Sequence, residues 1–323
     1  MTDSSKVSDA DETTLPFSLP SQGHEPVLLN PTLDLLSLAP RKTIVDCTLG
    51  RGGHAAAIAE RLGNDGTLIA LDADPRNLNF ARRRLASAPC RVRFFHANFA
   101  ELPQVLEMAG ISAVDGILAD LGISTNQLFE SEYGMSFGKA MPLDMRIDPR
   151  TPLSAADIVN KTKEDDLANV LYELAQERYS RRIARKIVEA RRHSPIMTTD
   201  RLADLVRSAI PSRGGAPDKI DPATRTFLAL RMRVNRELEN LASLLKQAPL
   251  CLTRGGRLAV ISFQSTEDRV VKQAFRSAER AGLLRILTKK PIPPTESEIA
   301  ANPRSRSAKL RAAARDIDGS SGV

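Results

Sequence analysis

Two aspartates and a glycine turn carry the chemistry this sequence suggests. Asp72 ends the apolar run "TLIALD" and Asp120 ends "ILAD", and Asp72 stands twenty residues beyond Gly52 in "DCTLGRGGH", where Gly50, Gly52 and Gly53 cluster. Glycines between a strand and a helix let a ligand approach the backbone, and the first N–H groups of the helix are unpaired and able to meet it. An acidic side chain at the end of the next strand is where ribose hydroxyls are held in sheets of this kind. The spacing is not the dinucleotide G-x-G-x-x-G, and no G-K-[ST] follows to make a P-loop. The combination points to a ribose-bearing cofactor. Taken singly, the glycines also suit a tight turn, and Asp120 suits a helix cap.

These residues need a scaffold, and the sequence supplies one. Apolar runs at 43–48, 67–74, 91–99 and 114–122 read as strands, separated by helical patterns at 54–63, 75–87 and 101–110. Short apolar strands alternating with helices imply a mostly parallel, Rossmann-like α/β sheet covered on both faces, with ligands at the carboxyl ends of its strands. Asp120 then points into the same crevice as Asp72. After "ADLG" the period is lost, and "ISTNQLFESEYGMSFGKAMPLDMRIDPRTP" reads as an ordered loop region with a function. From "LSAADIVNK" to about residue 210 every segment is helical, which predicts an inserted helical domain. "ATRTFLALRMRVNRELENLASLLKQAP" reads as one long helix. "GGRLAVISF", "LLRILTKK" and "SAKLRAAAR" are expected to complete the sheet. The predicted organisation is a disordered tail over 1–23, a sheet domain over 24–130 and 215–315, a helical substrate-recognition domain over 131–214, and a flexible tail over 316–323.

The chain has 323 residues, of which 42% are hydrophobic, enough for a sizeable core. Its 46 Lys and Arg against 39 Asp and Glu leave a formal charge of +7, favouring an anionic partner, with nucleic acid the leading candidate. In "ERYSRRIARKIVEARRH", Arg178, Arg181, Arg182, Arg185 and Arg192 recur at helical spacing opposite Ile183, Ile187 and Ala190, so one face packs and the other is cationic. That face suits phosphate contact, and an ordinary solvated helix face is the alternative. "NPRSRSAKLRAAAR" is a second basic cluster, which suits strand structure and contact with an anionic partner equally. Cys47, Cys90 and Cys251 lack any C-x-x-C spacing, and His24, His54, His96 and His193 form no H-E-x-x-H pair, so neither a disulfide framework nor a metal site is expected. No apolar run approaches a bilayer span and the start is too polar for a signal peptide, so a cytoplasmic protein without a membrane partner is expected.

The motifs "HEPVLL", "DCTLGRGGH", "DGILADLGIS", "PLDMRID", "ERYSRRIARKIV", "DPATRTFLALRMRVNREL", "GGRLAVISFQSTEDRVVK" and "NPRSRSAKLRAA" give the chain a resemblance to the bacterial ribosomal small-subunit RNA (cytosine-N4)-methyltransferases of the RsmH/MraW type. The resemblance runs from His24 to the C-terminal tail. It implies a class I methyltransferase fold with a helical insertion, S-adenosylmethionine as methyl donor, and a cytosine amine in the decoding centre of 16S ribosomal RNA, within the small subunit, as acceptor. The family's cofactor contacts fall on Gly52, Gly53, His54, Asp72, Phe99, Asp120 and Gln127, and Asp120 is the candidate catalytic acceptor. The chain departs from the family pattern with Ser124, Thr125 and Asn126 in place of Ser-Ser-Pro, Met141 in place of Gly, and Gln264 in place of His. Two rival functions remain at this level: a nicotinamide-dependent oxidoreductase, and a catalytically weak RNA-binding ribosome-assembly factor on the same fold, the latter raised by Gln264.

Overall fold

The computed structural model describes residues 26–211 and 221–315. The expected tails, 1–23 and 316–323, and the expected domain junction at 214–215 lie outside the described residues.

Seven strands form one sheet: β1 (Thr43–Asp46), β2 (Thr67–Asp72), β3 (Arg91–His96), β4 (Val114–Asp120), β5 (Leu252–Ser262), β6 (Leu284–Ile286) and β7 (Lys309–Arg315), in the order β3-β2-β1-β4-β5-β7-β6. The first five pair in parallel, and β7 runs antiparallel between β5 and β6. This is the mostly parallel Rossmann-like sheet that the alternation of elements predicts. Strand order reverses at β1, which pairs with β2 on one side and β4 on the other, so a crevice opens at the carboxyl ends of these strands. Ile44, Leu68, Ile69, Ile117 and Leu118 are fully buried, because helices cover both faces of the sheet. Each such side chain contributes ~1.5 to 3 kcal/mol of burial free energy.

The covering helices are α1 (Leu29–Leu36), α2 (Gly53–Leu62), α3 (Pro75–Arg84), α4 (Leu102–Ala109), α11 (Glu237–Cys251) and α12 (Ser265–Arg280). α3 starts where it does because the Asp74 carboxylate accepts from the Arg76 N–H at 2.9 Å and Pro75 occupies the first helical position. The loop region after β4 is ordered and holds a short helix, α5 (Thr125–Phe129), followed by a tight turn at Ser131–Tyr133.

Five helices, α6 (Ala155–Lys161), α7 (Glu164–Ala175), α8 (Ser180–His193), α9 (Thr199–Ala209) and α10 (Thr224–Val234), enclose a second core that includes Leu167, Leu171, Ile183, Ile187, Val206 and Phe227. The single long helix predicted over "ATRTF" to "KQAP" is two helices, α10 and α11, broken at Asn235 and Arg236. Asn235 is drawn sideways: its Oδ1 accepts from the Ile147 N–H at 2.9 Å and its Nδ2 donates to the Met145 carbonyl at 2.8 Å. Arg236 takes a left-handed φ of 50°. Arg231 and Glu237 form a two-bonded ion pair across the break, at 2.8 and 2.9 Å. α10 therefore packs into the helical core, while Leu241, Leu244 and Leu245 of α11 pack on the sheet.

Candidate cofactor and active site

The glycine turn is held by Asp72. Its Oδ2 accepts from the Gly50 N–H at 2.7 Å and its Oδ1 from the Asp74 N–H at 2.8 Å, which ties the end of β2 to the turn before α2 and to the start of α3. Gly52 sits at φ 79°, and a Cβ there would lie 3.5 Å from the Cβ of Ala81, so the turn is pressed against α3. Gly53 opens α2 and His54 follows it, buried.

Three carboxyls line the floor of the crevice: Asp46 at the end of β1, Asp72 at the end of β2 and Asp120 at the end of β4. Burial pushes the pKa of Asp46 up to about 7, partly offset by the Thr48 N–H it accepts. Burial likewise raises Asp72 to about 7 against its backbone hydrogen bonds. Burial raises Asp120 well above the usual carboxylate range, and the negative neighbours Asp46 and Glu267 add to the effect. The Oδ2 of Asp46 and the Oδ1 of Asp120 are buried with no hydrogen-bond partner among the described residues. Such oxygens are costly in a folded chain unless a donor or cation meets them. The other oxygen of Asp120 lies 3.5 Å from Nδ1 of His54, whose Nε2 faces the Val27 carbonyl at 3.0 Å. A carbonyl only accepts, so Nε2 carries the hydrogen it donates to Val27, and Nδ1 is the ring nitrogen turned toward Asp120.

The remaining sequence-predicted residues are placed less directly. Gln127 is buried with both ends of its amide engaged: Nε2 donates to Asp74 at 2.8 Å and Oε1 accepts from the Ser124 N–H at 3.0 Å. It steadies Asp74, which also accepts from the Tyr133 hydroxyl at 2.5 Å. Burial and that hydrogen bond raise the Tyr133 pKa. Phe99 opens a tight turn just beyond β3, half-buried against the sheet core, one strand over from Asp72. Asn126, where the family pattern has Pro, accepts from Arg51 Nε at 3.2 Å and donates to Asn77 at 3.2 Å. Met141 is buried, and its N–H donates to the Thr199 hydroxyl at 3.2 Å. Gln264 stands at the start of α12, where its N–H donates to the buried Glu267 carboxylate at 2.9 Å. Asp46 joins the site only in the structure. Its signal was a carboxylate at the last position of "TIVD", directly before the glycines.

α8 presents its arginines to solvent, as its period predicts, but the charge is less bare than α8 alone suggests. Arg181 lies 3.9 Å from Asp165 and donates to Asn169 at 2.9 Å, and Arg185 lies 3.6 Å from Glu164, all on α7. Arg178, Arg182 and Arg192 form no ion pair among the described residues. Exposed pairs of this sort are worth at most ~1 kcal/mol and are readily exchanged.

The sequence pattern of the MraW methylase family matches residues 21–316. The chain belongs to that family. Relatives of this methylase share nearly half of its residues over almost their whole length. A ribosomal RNA small subunit methyltransferase H of Koribacter versatilis is 48% identical over 90% of this chain and 94% of its own. Proteins of the same name from Desulfosudis oleivorans and Clostridioides difficile are 45% and 40% identical, each over 90% of this chain and 98% of theirs. Membership removes the oxidoreductase reading. No helix among the described residues is long and apolar enough to cross a membrane.

Proposed function

We propose that this methylase transfers a methyl group from S-adenosylmethionine to the exocyclic N4 amine of a cytosine in the decoding centre of 16S ribosomal RNA, on the small subunit in the cytoplasm. The observation that carries the reading is the trio of carboxyls behind the glycine turn, Asp46 and Asp72 buried and Asp120 partly so, two of them with a buried oxygen that has no hydrogen-bond partner among the described residues. A donor with a ribose, an ammonium and a sulfonium fits them: hydroxyls donate to Asp72 and positive groups favour the ionised forms of Asp46 and Asp120. Gly52, Gly53 and His54 shape the turn around the donor, Phe99 offers an apolar ring face, and Gln127 holds Asp74 in place. When bound, the donor supplies an electrophilic methyl carbon.

The cytosine amine is a weak nucleophile because its lone pair is delocalised into the ring. Asp120 accepts a hydrogen bond from it, orients the lone pair, and takes up the proton that N4 loses as the N–CH3 bond forms. Alignment of this kind can account for ~7 to 11 kcal/mol of a barrier, and a positioned acceptor adds ~10²- to 10⁴-fold. The helical unit expected over 131–214, completed on its packed side by α10, serves to recognise the folded subunit. Arg178, Arg182 and Arg192 reach phosphates directly, while Arg181 and Arg185 do so after exchanging their α7 partners.

Donor affinity should depend on pH in a direction fixed by these carboxyls. In the free protein Asp46 and Asp72 are half-protonated at about pH 7. A ligand that binds the carboxylates must expel those protons, so affinity is flat above about pH 8 and falls ~10-fold toward about pH 6 for one coupled carboxyl, and up to ~100-fold for two. Their folded-state pKa values are raised, so they stabilise the free protein at low pH, and that contribution is lost as pH rises from about 4 through about 7. The donor should therefore raise the melting temperature more at about pH 8 than at about pH 6. Calorimetric titration with S-adenosylmethionine checks this, and an affinity unchanged across the range contradicts the role of the trio.

A further inference from the structure

The basic segment "NPRSRSAKLRAAAR" divides into two parts. Arg311 is buried and pairs with Asp268 at 2.6 and 3.2 Å, Lys309 lies 3.9 Å from the same carboxylate, and Arg315 donates to the Leu250 carbonyl at 3.5 Å. These residues hold β7 in place. Arg304 and Arg306 are exposed and have no carboxylate partner among the described residues. Arg304 instead lies across the ring of Phe129, 4.7 Å from its centre, and donates to the Thr125 hydroxyl at 3.1 Å.

Phe129 is the only exposed phenylalanine among the described residues, at 49%. Burying that ring would be favourable. Its position is informative. α5 begins five residues after Asp120, and Arg304 lies in the turn Pro303–Ser307 that leads into β7, whose Lys309 pairs with Ser262 at the carboxyl end of β5. The stack therefore stands on the rim of the crevice, outside Asp120. A second arginine, Arg51, lies 4.7 Å over the ring of Phe80 and bonds α5 at Asn126, so two stacked guanidinium groups contact this helix.

We propose that Phe129 and Arg304 form a stacking subsite for the nucleobase next to the methylated cytosine in the RNA strand, with the outer edge of the Arg304 guanidinium turned to the adjoining phosphate. The inference rests on the reading that RNA is the substrate. A base drawn out of its stack leaves its neighbour with an unpaired π-face, and an aromatic platform beside the crevice replaces the lost stacking. An uncompensated cation at the platform adds phosphate contact without a desolvated ion pair to break. Because every base has a π-face, the subsite positions the strand and does not read its sequence.

The test compares wild type with Phe129→Ala, Arg304→Ala and Phe129→Trp, using small subunits that lack the modification. Both alanine variants should bind subunits about tenfold more weakly, with S-adenosylmethionine affinity unchanged by calorimetry. Phe129→Trp should bind subunits as tightly as wild type, because the larger ring still stacks. Wild-type subunit affinity in both alanine variants contradicts the subsite, as does a Phe129→Trp variant as weak as Phe129→Ala. Loss of donor affinity in the alanine variants assigns the pair to the crevice wall and also overturns the proposal. Absence of methyl incorporation by wild type contradicts the RNA reading itself, an outcome distinguishable from failure of the subsite alone.

Discussion

Asp120→Asn slows methyl transfer at least ~100-fold at saturating donor and subunit, while the fold and subunit affinity are kept. The amide is the same shape as the carboxyl, so the packing at the end of β4 is preserved. What is lost is an acceptor able to hold a proton. The Oδ1 of Asp120 is buried with no hydrogen-bond partner among the described residues, and its other oxygen lies 3.5 Å from Nδ1 of His54. Asparagine presents either an N–H or a carbonyl to each of these directions and can take no proton from N4. Single-turnover incorporation of labelled methyl measures the effect. A rate within a few-fold of wild type shows that the proton leaves by another route.

The second large effect is structural. Gly134 ends the turn after Tyr133 at φ 60°, and a Cβ there would come 1.9 Å from the carbonyl oxygen of Pro142. Both sides of the clash are held: the Met145 N–H donates to the Tyr133 carbonyl at 2.8 Å, and the Pro142 carbonyl accepts from the Asp144 N–H at 3.0 Å. Gly134→Ala therefore forces the backbone apart and adds left-handed strain of ~1 to 2 kcal/mol, for a total loss of at least ~3 kcal/mol. Because Tyr133 bonds Asp74, the damage should also weaken donor binding. Gly138→Ala is the matched control, since nothing lies within 4 Å of a Cβ there, and its effect should be within ~0.5 kcal/mol. Thermal melts of the two variants check the contrast, and equal melting temperatures contradict it.

The sheet and its crevice were legible because they follow from local pattern. Strands buried on both faces appear as unbroken apolar runs, the glycines mark the turn, and Asp72 and Asp120 stand at the ends of their runs. Tertiary relations were not legible. The break between α10 and α11 leaves the helical period almost intact, and its cause is the Asn235 amide bonding Met145 and Ile147, some 90 residues earlier in the chain. The arginines of α8 looked uncompensated because the acids that meet Arg181 and Arg185 belong to α7. Gln127 reads as a ligand contact, yet its amide is engaged on both sides within the protein. Asp46 needed only the same strand-end rule that selected Asp72, applied one strand earlier.

The most direct test of the central claim is the identity of the product. Small subunits lacking the modification are incubated with the purified protein and labelled S-adenosylmethionine, the RNA is digested to nucleosides, and the labelled species is identified by mass spectrometry. The expected product is N4-methylated cytidine, formed far faster on subunits than on free cytidine. Label on another base, on a ring carbon or on protein, or equal rates on subunits and free nucleoside, would contradict it.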